Sequence, residues 1–181
     1  YLPYTIELGR SFVQPKFQPA VNNRKGLFSL DNLWDGLGAI VVDNPEIKYL
    51  FGKVTMYTDF NPIARDMILA FMNHYFPDKE NLVRPHKPLS LPSDKSGLVE
   101  QLKGLDYKDG HAVLNKNVRA LGENIPPLVN AYMNLSSTMK TFGTSVNELF
   151  GNVEETGIMI TLADIYSTKK ERHISTYKNN F

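Results

Sequence analysis

The sequence predicts an α/β fold: a mixed β-sheet flanked by helices. Three observations lead there. Short runs rich in β-branched, aliphatic and aromatic residues recur at residues 6–13, 46–56 and 157–163. Between them, apolar residues return every three or four positions, which is the helix period. The chain has 181 residues, 42% of them hydrophobic and 22% charged, a balance that suits one domain with its own core. A single domain over residues 1–181 is therefore expected.

The elements follow in order. Residues 6–13 read as a strand, with Ile6, Leu8, Phe12 and Val13 apolar and Pro15 ending the run. A polar, turn-rich stretch reaches Gly26. A helix then begins near Ser29 or Asp31, either of which can cap it, and Leu30, Leu33, Trp34, Leu37, Ile40 and Val41 line one face. Residues 46–56 form the next strand, with Gly52 at a bulge or a close backbone approach. Asn61 and Pro62 open a second helix, whose stripe is Ile63, Met67, Ile68, Phe71 and Tyr75. Residues 84–92 contain Pro85, Pro88 and Pro92 and read as extended or loop. Residues 93–104 are weakly helical. Residues 109–121 form a helix with Ala112, Val113, Val118 and Leu121 inward, and residues 126–141 form another. Residues 157–163 close the sheet, and a polar tail follows from Ser167, helical at its start or disordered.

The first strand carries the chemistry. Glu7 and Arg10 interrupt an apolar run and add nothing to β-propensity. The ordinary reading is an ion pair, or two solvent-facing residues on an edge strand. The functional reading gives the carboxylate a proton to move. Asn22, Asn23, Arg24, Lys25 and Gly26 follow, just before the helix start. Free N–H groups, the helix dipole and two full positive charges suit a phosphate. The ordinary reading is a solvated basic turn, and no strict phosphate-loop pattern is matched.

Strand, basic loop and helix together resemble the acyl-donor-binding core of the GNAT superfamily of N-acyltransferases. Glu7-Leu8-Gly9-Arg10 followed by Phe12-Val13 and Pro15 is similar to a bacterial branch that makes N-acyl amino acids for ornithine and glycine lipids. Members of that branch are often labelled hemolysin-like. It is similar in turn to the acyl-homoserine-lactone synthases, which carry a comparable Glu-x-x-Arg. The helix start Ile125-Pro126-Pro127-Leu128 with Tyr132 just over a turn later resembles the branch too. So do the strand at Tyr49-Leu50-Phe51-Gly52 and the apolar run from Ile158 to Leu162 with Asp164.

The resemblance implies an enzyme, an N-acyltransferase moving a fatty acyl group from acyl-carrier protein or acyl-coenzyme A to the amine of glycine or ornithine for amino-acid-lipid synthesis. Glu7 is then the general base and Arg10 holds the acceptor's carboxylate or orients Glu7. Backbone groups of Phe12 and Val13 pair with the pantetheine arm. Arg24, Lys25 and the amides of Gly26, Leu27 and Phe28 take the phosphate. Tyr132 and Trp34 face the acyl cleft. The ordinary reading of Tyr132 is a core residue with its hydroxyl bonded to backbone, and of Trp34 a core anchor. Leu27 and Phe28 stand where the superfamily has small residues, which favours the carrier protein as donor. No resident cofactor is implied, only the donor substrate. The chain opens at Tyr1 on a strand that is central in the family, so it is expected to be the C-terminal part of the fold. That strand's open edge would pair with an upstream fragment or a second copy.

Composition narrows the alternatives. A net charge of +1 gives no sign of nucleic-acid binding. No run of about 18 apolar residues is present, so no membrane-spanning helix is expected. The absence of cysteine excludes thiolate catalysis and cysteine-based metal sites, and fits a cytoplasmic protein. His74, His86, His111 and His173 show no metal-ligand spacing. Lys169-Lys170-Glu171-Arg172 reads as a solvated face, or as a contact with anionic headgroups that would place the enzyme peripherally on the inner membrane. Two other functions stand beside the first: a non-catalytic lipid-binding or regulatory module, and an acyl-homoserine-lactone synthase, which would need S-adenosylmethionine.

Overall fold

Parallel strands need a crossover to bring the chain back, and the first amphipathic helix supplies it. The computed structural model describes residues 1–10, 14–17, 29–89, 97–175 and 177, with only the backbone for residues 29–31. Strand β1 (Thr5–Leu8) leads through helix α1 (Ser29–Asp43) to β2 (Tyr49–Met56), which runs parallel to it. Helices α2 (Pro62–Tyr75), α3 (Leu98–Leu102), α4 (Tyr107–Ala120) and α5 (Pro127–Met133) follow. Then come β3 (Lys140–Asn147), β4 (Val153–Thr161) and α6 (Ser167–His173). The strand order is β1-β2-β4-β3, and β4 is antiparallel to both its neighbours. The expected mixed sheet flanked by helices is what forms.

Local chemistry sets the helix starts. The Asn61 carboxamide oxygen accepts from the backbone N–H of Ile63 at 2.9 Å and of Ala64 at 3.3 Å, with Pro62 at the first helical position. Asp106 accepts from Asp109 N–H at 2.9 Å at the start of α4. One face of the sheet is buried. Leu50, Val54, Met56, Ile158 and Ile160 form a core there with Met67, Ile68, Phe71 and Met72 of α2 and Val129 and Met133 of α5. Each such side chain contributes about 1.5–3 kcal/mol. On the opposite face Phe51 meets Phe142, ring centroids 5.9 Å apart, and Lys53 pairs with Glu155 at 3.1 Å.

Several expectations change. The first strand does not reach residue 13. It stops at Leu8, and Arg10 sits at φ 55°, a left-handed bend that cannot continue a ladder. Residues 126–141 are not one helix. Helix α5 ends at Met133, where the Asn134 side chain donates to Asn130 C=O at 2.8 Å. From Lys140 the chain is β3, with Thr141, Thr144 and Val146 paired to β4. In α1, Leu33 and Ile40 face solvent and the buried line is Trp34, Leu37, Gly38 and Val41. Ile63 of α2 and Ala112 of α4 also point outward, and Gly110 and Leu114 take the inward places in α4. Gly52 is regularly paired on both sides, and the register shift lies between Thr141 and Thr144 of β3. The second strand begins at Tyr49 rather than residue 46, the closing strand already at Val153, and the weak helix of residues 93–104 is confined, among described residues, to α3.

The two sheet edges differ. Along β3, Thr141 N–H donates to Phe76 C=O and Leu89 N–H to Thr144 C=O, each at 2.7 Å, and Pro85 presses on Gly143. That edge is covered. On its outer side β1 has no strand partner among the described residues.

Candidate functional site: a notch between two parallel strands

The shortness of β1 makes the site. Its last residue, Leu8, pairs with Gly52, but β2 runs on to Met56. Past Gly52 that edge of β2 has no strand beside it among the described residues. Among the described residues the two parallel strands thus part at Leu8 and Gly52, leaving a step in the sheet, the notch. The free backbone groups of an unpaired strand edge also give an extended ligand arm something to pair with.

Gly52 forms the floor. A Cβ there would lie 3.6 Å from Tyr132 Oη and 3.5 Å from the Leu8 carbonyl oxygen, ordinary contact distances, so the phenol lies close against the strand backbone. Tyr132, on α5, is 6% exposed. Burial pushes its hydroxyl above the ordinary tyrosine value of 10.0, so it stays protonated at neutral pH. The core reading expected a backbone bond for this hydroxyl, yet none engages it among the described residues. Trp34 of α1 meets the Tyr132 ring edge-on, centroids 5.3 Å apart at 76°, which fixes the ring's position. Trp34 also packs on the core, as its ordinary reading as a core anchor expects.

Glu7 is on the other side. Strand side chains alternate between faces. Leu8 shares the Tyr132 face, since its Cβ is 3.6 Å from the Gly52 Cβ position. Glu7, paired with Phe51, therefore projects to the opposite face, where it is exposed. Arg10 is exposed beyond the strand end. The two form no ion pair with each other or with another described residue; both face solvent, Glu7 on the edge strand β1 and Arg10 just past its end, so of the two ordinary readings the solvent-facing one fits. The structure brings Tyr132, Trp34 and Gly52 together and places Glu7 across the sheet from them. Phe12, Val13, Arg24, Lys25, Gly26, Leu27 and Phe28 lie outside the described residues.

The histidines have other roles. His111 bonds Asn130 at 2.8 Å, and His173 Nδ1 bonds Asp35 at 2.7 Å. Among the described residues no three His, Asp or Glu side chains converge as a metal site would require. Among the described residues no helix is long and apolar enough to cross a membrane. Sequence reasoning marked Gly52 as a strand glycine in close approach but did not connect it with Tyr132. The link is tertiary, and a glycine in an otherwise bulky strand was the available signal.

Comparison with known proteins adds the following. The chain is 54% identical over 178 residues to the glycine N(alpha)-acyltransferase of Phocaeicola vulgatus, which covers 98% of this chain and 54% of that protein. It is 52% identical over 177 residues to the protein of the same name from Bacteroides thetaiotaomicron, covering 98% of this chain and 52% of that one. The chain thus spans about half the length of the curated relatives it matches. No protein-family model and no solved structure matches it.

Proposed function

We propose that the chain carries the acyl-transfer notch of an N-acyltransferase that moves a fatty acyl group from a carrier thioester to the amine of glycine. The similarity to two proteins named glycine N(alpha)-acyltransferase, across 98% of the chain, carries this reading.

The chemistry assigns each group a task. Glycine's ammonium must lose a proton before it can attack, and Glu7 accepts it, directly or through a water in the notch. The amine adds to the thioester carbonyl. The C–N bond forms, the tetrahedral intermediate collapses, and the C–S bond breaks. The thiolate leaves with the proton of Tyr132, whose raised pKa keeps that proton available. Tyr132 then regains a proton, directly or through water, from the nitrogen, which sheds its second proton as the amide forms, and Glu7 gives the first to solvent. Backbone N–H groups along the free edge of β2 meet the oxyanion and the pantetheine arm. Arg10 at the mouth holds the glycine carboxylate. The donor is acyl-carrier protein, since Leu27 and Phe28 replace the small residues of a nucleotide-diphosphate loop. The product feeds amino-acid-lipid synthesis.

The test is a reaction with glycine and a panel of other amino acids, using palmitoyl-carrier protein or palmitoyl-coenzyme A as donor and mass spectrometry of the products. N-palmitoylglycine formed faster from the carrier protein supports the reading. No acylated amino acid with either donor overturns it and leaves a lipid-binding module.

A further inference from the structure

Tyr132 is held from behind. Its helix α5 has 7 residues and starts after Pro126 with no side-chain cap, too short a helix to fix itself. Asn130 and Asn134 lie about one turn apart on α5, and Tyr132 lies between them, about 200° around the axis. The two asparagines face α4, while Tyr132 faces Gly52.

Hydrogen bonds tie that rear face to α4. Tyr107 Oη donates to Asn134 Oδ1 at 3.1 Å. Asn134 Nδ2 donates to the Asn130 carbonyl oxygen at 2.8 Å and to Asn130 Oδ1 at 3.1 Å. His111 Nε2 donates to the same Oδ1 at 2.8 Å, since an amide oxygen only accepts. Tyr107 is fixed in turn. Its ring packs on Phe71 and Phe76, centroids 5.9 and 5.6 Å away, and burial pushes its hydroxyl above the ordinary value of 10.0, so it stays a donor. The apolar contacts of Val129 and Met133 press α5 on the sheet without a preferred direction. The hydrogen bonds are directional, and they set the rotation of α5 about its axis.

We propose that Asn130 and Asn134 are positioning residues for Tyr132: bonded to His111 and Tyr107, they lock α5 at the rotation that holds Tyr132 Oη beside Gly52. This role rests on Tyr132 giving its proton to the leaving thiolate, as under the proposed function.

Asn130→Leu removes the shared acceptor, and Asn130→Asp keeps an oxygen for both donors. Turnover and Michaelis constants are measured with glycine and palmitoyl-carrier protein for each variant, alone and combined with Tyr132→Phe. Asn130→Leu should lower kcat about ten- to a hundredfold, the scale of a misplaced reacting group, with both Michaelis constants nearly unchanged. Asn130→Asp should restore kcat to within about twofold of wild type. In Tyr132→Phe, adding Asn130→Leu should cost less than about twofold more, because the hydroxyl it positions is gone. A second readout needs no turnover. Trp34 is the only tryptophan in the chain and meets the Tyr132 ring at 5.3 Å, so its near-ultraviolet circular dichroism band should change in Asn130→Leu and stay in Asn130→Asp. If Asn130→Leu does not fold by thermal melting, Tyr107→Phe, which drops one hydroxyl and keeps the ring, is read in the same way. Wild-type kcat in Asn130→Leu, an equal loss with and without the Tyr132 hydroxyl, or no rescue by Asn130→Asp would each overturn the positioning role. Wild-type-like turnover in Tyr132→Phe would remove the proton donor and this role with it. If the wild type forms no product, the transferase reading fails, and the Trp34 band alone decides: unchanged in Asn130→Leu, it shows that these bonds do not hold Tyr132.

Discussion

Replacing Tyr132 by Phe separates a proton donor from a core tyrosine, because the two roles predict opposite changes. Phe keeps the ring, its burial and its edge-on contact with Trp34 at 5.3 Å, and so keeps the roughly 0.5–1.5 kcal/mol of that pair. Only the hydroxyl goes. No hydrogen bond engages that hydroxyl among the described residues, so it adds little to folding, and the variant should match the wild type in stability within about 1 kcal/mol. Its pH dependence should change as well. The folded-state pKa is raised above 10.0, so above pH 10 the unfolded chain loses its proton first and stability falls. Tyr132→Phe should flatten that alkaline decline. Turnover should drop by about two to four powers of ten, the range for a lost acid–base group. Urea unfolding at pH 7 and pH 10.5, with product formation by mass spectrometry, reads all three. A variant less stable by more than about 1 kcal/mol would show a hydroxyl bonded in the core, and unchanged turnover would remove Tyr132 from the reaction.

Three further outcomes follow from named contacts. Glu7→Gln should lower turnover by about two to four powers of ten with donor binding nearly unchanged, and wild-type-like turnover at neutral pH would exclude Glu7 as base. Reversing charge in Arg24→Glu, Lys25→Glu should weaken donor binding and leave folding intact, and an unchanged donor Michaelis constant would remove these residues from the phosphate site. Gly38→Ala puts a Cβ 1.8 Å from the His173 carbonyl oxygen, so α6 must part from α1 at a cost of about 1–3 kcal/mol. Thermal melting should show the loss, and an unchanged melting temperature would mean α6 is not held there.

Much of this architecture was legible in the chain, for physical reasons. The 3.6-residue period of α1 and α2 and the Asn61-Pro62 start are local signals, and they form helices where they point. What the sequence hid depends on partners distant in the chain. Residues 140 and 141 read as the end of the helix over 126–141 because the apolar pattern before them is helical, and residues 142–147 do not read as a strand, yet Thr141 and Thr144 find their ladder in β4. The inward line of α1 shifts from Leu33 and Ile40 to Gly38 because α6 approaches there. Glu7 and Tyr132 were each legible as site candidates, but their opposite faces follow only from the register that pairs Glu7 with Phe51 and Leu8 with Gly52.

The central claim is that the donor arm lies in the notch beside the free edge of β2. The chain contains no cysteine, so one introduced thiol can be followed alone. Lys53→Cys places it just past the last residue paired with β1, and Leu149→Cys places a control at a fully exposed site, 100% accessible. Maleimide labelling of each is timed with and without a non-hydrolysable palmitoyl-carrier protein. The account predicts that the donor slows labelling at position 53 by about tenfold or more, as expected when bound donor covers the thiol nine-tenths of the time, and leaves position 149 unchanged. Equal labelling rates at position 53 with and without saturating donor would contradict it.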